Sequence, residues 1–308
     1  MPLAYITHSR CRRHNMGQFH PEQPARLDAI NDRLITKQLS LFFNQYDAPK
    51  ASREQLLRVH DADYLAHLES VSPSDGLAWL DGDTAMCPDT LEAALHAAGA
   101  VVHAVDLVMQ GKARCAFCAV RPPGHHAEHN KAMGFCFFNN VAVGAAHALA
   151  EYGLQRIAII DFDVHHGNGT EDIFEGNSQV LCCSSYQHPF YPNTGGTSDA
   201  SNIIDIPLPA GTGSESFRNA ISQHVLPALE EYSPELIMIS AGFDAHRDDD
   251  MGQFNLLESD YAWVTDQLMD VAARHAQGRI VSALEGGYDL FALSRSVTVH
   301  MERLVGDY

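Results

Sequence analysis

The sequence IAIIDF at residues 157–162 leads directly into the polar stretch DVHHGNG at residues 163–169. Its apolar residues are nearly continuous, whereas a strand with one solvated face alternates apolar and polar residues. The run therefore predicts a strand that is buried on both faces of a parallel sheet. Aspartate, histidine and glycine residues follow at the point where this strand ends.

Similar runs, separated by amphipathic segments, extend through the rest of the chain. We predict further strands at residues 116–120, 180–183, 236–240 and 280–284. Apolar residues at helical spacing predict helices at residues 22–37, 90–110, 140–152, 215–231 and 258–276. Strands that alternate with helices indicate an α/β fold with a parallel sheet covered on both faces. Because the sequence contains no internal repeat or long linker, we expect one domain over residues 1–308.

Four of the five predicted strands end in motifs that are rich in histidine, aspartate or tyrosine. The motifs are RPPGHH (121–126), DVHHGNG (163–169), AGFDAH (241–246) and EGGYD (285–289). In an open α/β sheet, ligands bind beyond the carboxyl ends of the strands. The four motifs are therefore expected to meet at one edge of the sheet and to form an active site there.

The composition narrows the classes of function. Lysine and arginine number 20 against 39 aspartates and glutamates, a formal net charge of −19. This excess opposes binding to a phosphate backbone, so we expect no nucleic-acid partner; it suits either a cationic partner or a solvated acidic surface. No stretch resembles a signal peptide or reaches the roughly 18 apolar residues of a membrane span. We therefore expect a soluble, cytoplasmic protein with no membrane partner.

The seven cysteines do not suggest a disulfide framework, because their number is odd and the chain is long. Cys115 and Cys118 form a C-x-x-C pair, but no second pair follows at zinc-ribbon spacing. The pair lies in an apolar run that predicts a strand, where residues three apart point to opposite faces. We predict that these thiols are buried and structural.

Three residues that follow predicted strands form a candidate metal site. Asp163 and His165 are separated by one residue, so their side chains can point the same way. Asp244 follows another strand, and Gly242 before it permits a close approach. Two carboxylates and one imidazole suit an open mononuclear Zn²⁺ site that leaves positions for water and substrate. Carboxylate ligands also suit Fe²⁺ or Mn²⁺, so these residues leave the ion open.

Two adjacent histidines and one tyrosine could perform chemistry beside such an ion. His125 and His126 can divide the work, one accepting a proton from water and the other supplying charge. Each ring needs a partner that orients its far nitrogen, and Asp161 and Asn168 are the candidates. Tyr288 follows two glycines, and its phenol could donate a hydrogen bond to the oxyanion of a tetrahedral intermediate.

Taken together, four motifs resemble the histone deacetylase family, and specifically its class II-like bacterial deacetylases. They are RPPGHHAEHNKAMGFCFFNN (121–140), DFDVHHGNGTEDIF (161–174), SAGFDAHRDDDMG (240–252) and EGGYDL (285–290). The resemblance extends from residue 20 to residue 288. It implies the arginase–deacetylase fold, an α/β architecture with about eight parallel strands flanked by helices on both faces. It also implies zinc-dependent hydrolysis of an acetylated amine.

The resemblance also implies roles for single residues. It implies one catalytic zinc ion with the ligands Asp163, His165 and Asp244. His126 resembles the general base and acid, His125 its electrostatic partner, and Tyr288 the residue that polarises the substrate carbonyl. Asn168 stands where class I enzymes have aspartate, which favours the class II affiliation. Structural potassium is implied at Asp161, Asp163, His165 and Ser184.

Five further residues match positions that hold the substrate or border the product channel. Phe135, after Gly134, resembles one wall of the tunnel for the lysine chain. Tyr191 stands on the opposite wall, where the family usually has phenylalanine, and we expect this departure to alter acyl preference. Asp83 matches the residue with which class II enzymes grip the substrate backbone. Arg26 matches an arginine near the internal product channel.

We therefore expect hydrolysis of acetyl-lysine in proteins or peptides, with two alternatives. An acetylated small amine is the first alternative substrate, but the polyamine-specific member of class II has glutamate where this chain has Met251. The second alternative is a metal-dependent acyl-lysine-binding protein without activity, which the presence of every catalytic residue disfavours. Gly167 and His246 stand where an arginase-like second metal would need carboxylates. The sequence leaves the physiological substrate, the acyl-chain preference, Fe²⁺ in place of Zn²⁺ and the oligomeric state open.

Overall fold

The computed structural model describes residues 2–306, which contain ten strands and ten α-helices. The strands are β1 (Leu3–Thr7), β2 (Phe43–Asp47), β3 (Ala78–Trp79), β4 (Ala85–Met86), β5 (Cys115–Cys118), β6 (Ile157–Asp161), β7 (Val180–Gln187), β8 (Ile203–Leu208), β9 (Leu236–Ala241) and β10 (Ile280–Leu284). The helices are α1 (Ala25–Thr36), α2 (Arg53–Leu56), α3 (Ala62–Val71), α4 (Thr90–Met109), α5 (Asn140–Tyr152), α6 (Asn168–Phe174), α7 (Ser214–Ala220), α8 (Leu226–Tyr232), α9 (Glu258–His275) and α10 (Leu290–Val305).

The main sheet has eight parallel strands in the order β2-β1-β5-β10-β9-β6-β7-β8, as the sequence predicts. Its four central strands are buried along their whole length, which explains their continuous apolar sequences. Helices α4 and α5 pack together and α4 contacts β5, while α10 contacts β5 and packs with α1 and α9. Strands β3 and β4 form a separate antiparallel hairpin.

The five predicted strands correspond to β5, β6, β7, β9 and β10, and the predicted helices to α1, α4, α5, α7 with α8, and α9. Helix α1 begins at Ala25 rather than at residue 22, because Pro24 occupies its N-cap. The helix predicted at 215–231 contains a π-helical turn, Ile221–Val225, directly before α8. Pro227 in the first turn of α8 has no N–H to donate, which favours this wider turn.

The sequence interpretation missed several elements. Strands β2 and β8 lie at the two edges of the sheet and are only partly buried, so their sequences lack a continuous apolar run. Strand β1 and helices α3, α6 and α10 were also not predicted. These elements widen the sheet and cover it, but the strands that carry the four motifs were all found.

Buried thiols and one apolar helix bear on two further expectations. All seven cysteines are free and buried, and Cys115 and Cys118 lie on β5, so the prediction of buried structural thiols is confirmed. Among the described residues, only α4 is long and apolar enough to cross a membrane. Within its most apolar 18-residue window, 72% is buried inside the protein, as in a core helix of the sheet.

Candidate active site

The four motifs follow four neighbouring strands, because β5, β10, β9 and β6 are adjacent in the centre of the sheet. All four strands are parallel, so their carboxyl ends lie at the same edge. The loop after β5 carries the histidine pair, β6 leads to Asp163 and His165, β9 leads to Asp244, and β10 leads to Tyr288. The order of the strands thus brings together residues that are up to 163 positions apart in sequence.

Asp163, His165 and Asp244 form one buried group of side chains that could hold a metal ion. The Nδ1 atom of His165 lies 3.0 Å from Oδ1 of Asp163 and 3.2 Å from Oδ2 of Asp244. The backbone N–H of Val164 donates to Oδ1 of Asp244 at 3.0 Å, and that of Gly286 donates to Oδ2 of Asp163 at 2.9 Å. These contacts hold both carboxylates so that Oδ1 of Asp163 and Oδ2 of Asp244 converge on the imidazole.

The chemistry of this group fits a metal ion. Oδ2 of Asp244 is buried, and no donor among the described residues makes a hydrogen bond to it. Burial and the charge of Asp163 raise the pKa of Asp244 to about 7, because two buried carboxylates lie close together. Gly286 has no room for a side chain, because a Cβ atom there would lie 2.0 Å from Oδ2 of Asp244 and 2.6 Å from Oδ2 of Asp163.

His125 is held as the charged member of the histidine pair. Its Nδ1 lies 2.8 Å from Oδ2 of Asp161, and its Nε2 lies 3.8 Å from Oδ2 of Asp163. Burial alone would lower the pKa of His125, but these two carboxylates raise it well above its usual value. The Glu285 carboxylate accepts the backbone N–H groups of Gly124 and His125, at 2.6 and 3.1 Å, and fixes the turn before the ring.

His126 is held as the neutral member. Burial and the neighbouring imidazoles of His125 and His165 lower its pKa well below its usual value. Its Nδ1 lies 2.8 Å from Oδ1 of Asn168. The amide nitrogen of Asn168 donates to Glu128 at 2.8 Å, so the amide oxygen faces the imidazole. Nδ1 of His126 therefore carries the proton, and Nε2 has a free lone pair to accept one.

Tyr288 lies at the end of the loop that follows β10. Oδ2 of Asp249 accepts the backbone N–H groups of Tyr288 and Asp289 at 2.6 and 2.9 Å, which fixes the turn. The Arg26 guanidinium lies 4.9 Å from the centre of the Tyr288 ring. Burial and the charge of Asp244 raise the pKa of Tyr288 well above its usual value, so its hydroxyl stays protonated as a donor.

A cavity of about 240 Å³ opens over these groups. All five residues predicted for the substrate tunnel line it, and so do three of the predicted catalytic and metal residues: Asp83, Gly134, Phe135, Tyr191, Met251, His126, His165 and Tyr288. The remaining two lining residues, Phe190 and Asp250, were not predicted. Phe190 stacks on the His165 ring with centroids 5.5 Å apart, and its place directly before Tyr191 was the signal that could have revealed it.

The remaining predicted residues lie around this centre rather than in the cavity. Arg26 is buried and donates to the backbone oxygens of Gly287 and Glu285 at 2.6 and 2.5 Å, beneath the turn that carries Tyr288. Its place beside a product channel stays a prediction. Ser184 on β7 pairs in register with Asp161 on β6, so these two predicted potassium ligands are neighbours. Potassium binding there also stays a prediction.

Comparison with known proteins assigns this arrangement to a class of enzymes. The family model described as "Histone deacetylase domain" matches residues 20–304. The chain therefore belongs to the histone deacetylase family, whose members include deacetylases and amidohydrolases, as the sequence motifs predict.

Three relatives illustrate the range of the family. A histone deacetylase-like amidohydrolase of Pseudomonas aeruginosa is 38% identical over 87% of this chain and 72% of its own length. A mouse protein named polyamine deacetylase HDAC10 is 38% identical over 93% of this chain but only 45% of its own length. The crystal structure of the HDA15 HD domain matches with a TM-score of 0.93 and 33% identity, covering 100% of this chain and 90% of that one. The predicted fold is thus confirmed.

Proposed function

We propose that this chain is a zinc-dependent deacetylase that hydrolyses the acetyl amide of Nε-acetyl-lysine in proteins or peptides and releases acetate. The shape of the cavity is the observation that carries this proposal. Phe135 and Tyr191 line its walls, and the buried His126 and His165 line it together with the partly buried Tyr288. A linear, uncharged acyl-lysine arm fits between aromatic walls, and its amide then reaches the groups that act on it.

Zn²⁺ held by Asp163, His165 and Asp244 would polarise the acyl carbonyl and lower the pKa of a water molecule in the site. His126 accepts a proton from the attacking water, because its Nε2 is unprotonated and its lowered pKa keeps the ring neutral. Tyr288 donates a hydrogen bond to the oxyanion that develops on the substrate.

The charge of His125 supports the same reaction. Its raised pKa keeps it an imidazolium, which stabilises negative charge that develops beside it without giving up its proton to Asp161. His126, protonated after the attack, then delivers its proton to the leaving amine. The products are acetate and the free amine of lysine. The proton that His126 takes from water therefore ends on that amine.

Acetylpolyamine hydrolysis is the second candidate, and one observation favours it. Asp83 and Asp250 both line the cavity, and Asp250 is exposed, so two carboxylates border its outer part. They could attract the distal ammonium of an acetylated polyamine, and the similarity to a protein named polyamine deacetylase points the same way. Met251, which lines the same cavity, supplies no charge of its own and favours lysine substrates.

Three further features belong to this proposal. We infer that the whole chain is one catalytic domain, because eight of the strands, from β1 near the start of the chain to β10 near its end, form one sheet. We also infer structural potassium at Asp161, Asp163, His165 and Ser184 and a cytoplasmic location. The seven free cysteines support a reducing compartment, where thiols persist.

A side-by-side assay tests the proposal. Purified protein is given acetyl-lysine peptides or N-acetylputrescine after reconstitution with Zn²⁺ or with Fe²⁺. We expect the higher kcat/KM on the peptides, with acetate released in a 1:1 ratio to free amine. A preference for N-acetylputrescine would replace the lysine proposal with the polyamine one. Binding of acyl-lysine without any turnover would contradict both, because the protein would then be a reader of this modification.

A further inference from the structure

A second group of metal-ligating side chains lies outside the catalytic centre. His166 comes from the loop after β6, Glu171 from α6 and Asp205 from the edge strand β8. One ligand atom from each lies within 4.8 Å of the other two. The side chains are largely buried, with 2%, 17% and 9% of their surface exposed, so they are not ordinary solvated charges. The proposed deacetylation uses none of them.

The atoms of this group are oriented toward a common point. Nε2 of His166 lies 2.8 Å from Oε2 of Glu171 and 3.3 Å from Oδ1 of Asp205. The outer atoms have other partners: Nδ1 of His166 lies 3.0 Å from the hydroxyl of Thr194, and the backbone N–H of Gly196 donates to Oδ2 of Asp205. An imidazole whose far nitrogen is held in this way is typical of a metal ligand.

Two buried oxygens beside His166 have no hydrogen bond from any described residue. Oε2 of Glu171 is one of them, and its nearest charged neighbour is Nε2 of His166 at 2.8 Å. The other is the hydroxyl of Tyr186, a residue that is only 1% exposed. A Cβ atom at Gly195 would lie 2.3 Å from this hydroxyl and 3.1 Å from Cδ2 of His166, so Gly195 packs closely against both side chains.

Charge and space both favour an ion between His166, Glu171 and Asp205. A protonated His166 between two carboxylates would leave one buried negative charge uncompensated, which is costly. A divalent cation with a neutral imidazole would balance Glu171 and Asp205 fully. All three side chains line a cavity of about 10 Å³, which is about the space that one water molecule or ion needs.

We propose that His166, Glu171 and Asp205 bind a second, structural divalent ion of the zinc type. One imidazole nitrogen and two carboxylates are ligands that suit Zn²⁺. Ca²⁺ and Mg²⁺ prefer sites made only of oxygen. The cavity of about 10 Å³ holds an ion but has no room for a substrate, so the ion acts on structure and not on the amide.

The site joins parts of the chain that are distant in sequence. Thr194 and Gly196 belong to the segment 188–202 between β7 and β8, and the same segment carries Phe190 and Tyr191 of the cavity wall. An ion at His166 would fasten this segment and the edge strand β8 to the centre of the sheet. Loss of the ion is therefore expected to lower thermal stability rather than to stop the reaction directly.

Metal counting tests the proposal without any assay of activity. The metal-free full chain is incubated with Zn²⁺, desalted and analysed for zinc and potassium. We expect two zinc ions per wild-type chain, one in Asp205→Asn and one in Asp244→Asn. Asp172→Asn is the matched control: it neutralises the next carboxylate on α6, which contacts His129 and not this group, so it should retain two.

Melting temperatures give a second readout in the Asp244→Asn background, where the catalytic set is disabled. Zinc at 100 times its Kd should raise the melting temperature of this 308-residue chain by about 4 °C. Adding Glu171→Gln should abolish this rise. If Asp205→Asn fails to fold, the visible absorption of Co²⁺ bound to Asp244→Asn, and its loss on adding Glu171→Gln, supports the same conclusion.

Four results would overturn the proposal. One zinc ion in both wild type and Asp205→Asn would mean that the group is only an ion-pair cluster. Two zinc ions in Asp205→Asn would place the second ion elsewhere. Potassium without a second zinc would assign the cavity to the ion predicted at Asp161 and Ser184, which line it as well. No Co²⁺ absorption in Asp244→Asn would also contradict it.

Discussion

Two buried charge networks meet at the Gly286–Gly287 turn, and they differ in whether their charges are compensated. On one side, the Glu22 carboxylate accepts from Arg26 at 3.1 Å and from Nη2 of Arg121 at 2.6 Å, and none of the three side chains is exposed. On the other side, Oδ2 of Asp244 is equally buried and accepts no hydrogen bond from the described residues. The Glu22 carboxylate, which has its partners, stabilises the fold, whereas the Asp244 carboxylate, which lacks one, can bind a metal ion.

Glu22→Gln should have the largest effect, a loss of folding stability. The substitution leaves two guanidinium groups buried without their carboxylate, and breaking such a network costs about 3–5 kcal/mol. The free energy of unfolding in urea measures it. Glu54→Gln is the matched control, because Glu54 is exposed and its ion pair with Arg58 contributes at most about 1 kcal/mol. Equal losses in the two variants would contradict the comparison.

The pH dependence of the same variant gives an independent check. Burial alone would raise the pKa of Glu22, but Arg121, His14 and Arg26 lower it from 4.5 to about 2. Because the pKa is lower in the folded state, the ionised Glu22 stabilises the fold by about 3 kcal/mol above pH 4.5. This contribution is lost as the pH falls from 4.5 toward 2. Glu22→Gln should lose this part of the acid sensitivity. If the free energy of unfolding of Glu22→Gln falls between pH 5 and pH 3 as steeply as that of the wild type, the assignment is contradicted.

Tyr288→Phe should keep fold and metal content but lower kcat about 10²–10³-fold, because a donor to the developing oxyanion is lost. Steady-state kinetics with acetyl-lysine peptide and metal analysis of the same sample measure both properties. Tyr191→Phe removes the other phenol of the cavity and is expected to change kcat much less. Similar kcat values for wild type and Tyr288→Phe would refute the assigned role.

In metal-free protein at pH 8, Asp244→Asn should not lower the free energy of unfolding, in contrast to Glu22→Gln. The pKa of Asp244 in the folded state is raised from 3.8 to about 7, so its ionised form costs stability as the pH rises through this window. The Asn variant removes that cost and can still accept from Val164. Urea unfolding should give an unchanged or higher free energy. A loss as large as that of Glu22→Gln would mean that both networks are structural.

Met251→Glu should have the smallest effect. A carboxylate in the outer part of the cavity would pair with the distal ammonium of N⁸-acetylspermidine, and an exposed pair contributes roughly 0.2–1 kcal/mol. We expect a few-fold gain in kcat/KM relative to acetyl-lysine peptide, weakened by salt. Met251→Gln, of similar shape but uncharged, is the control. An unchanged ratio in Met251→Glu would exclude residue 251 from contact with the substrate.

The centre of the sheet could be predicted from sequence, and its edges could not. Strands β5, β6, β9 and β10 are buried on both faces, so an unbroken apolar run was enough to find them and the motifs behind them. Strand β8 is partly exposed and contains Pro207, which gives no such signal. Its Asp205 therefore could not be placed beside His166 before the fold was known.

Contacts between distant residues were equally invisible in sequence. Glu22 and Arg121 are 99 positions apart, and neither belongs to a pattern that indicates pairing. Phe190 and Asp250 were missed for another reason: each adjoins a residue that matched the family pattern, and only the shape of the cavity reveals that both neighbours line it. Patterns identify the residues that chemistry requires, while packing decides which other residues surround them.

Activity as a function of bound zinc tests most directly whether the uncompensated network is the catalytic centre. Chelator-treated wild type and Asp244→Asn are titrated with Zn²⁺ and assayed on acetyl-lysine peptide. The account predicts no turnover without metal, recovery in the wild type, and no recovery in Asp244→Asn at any zinc concentration. Full turnover of metal-free wild type, or recovery in Asp244→Asn equal to that of the wild type, would contradict it.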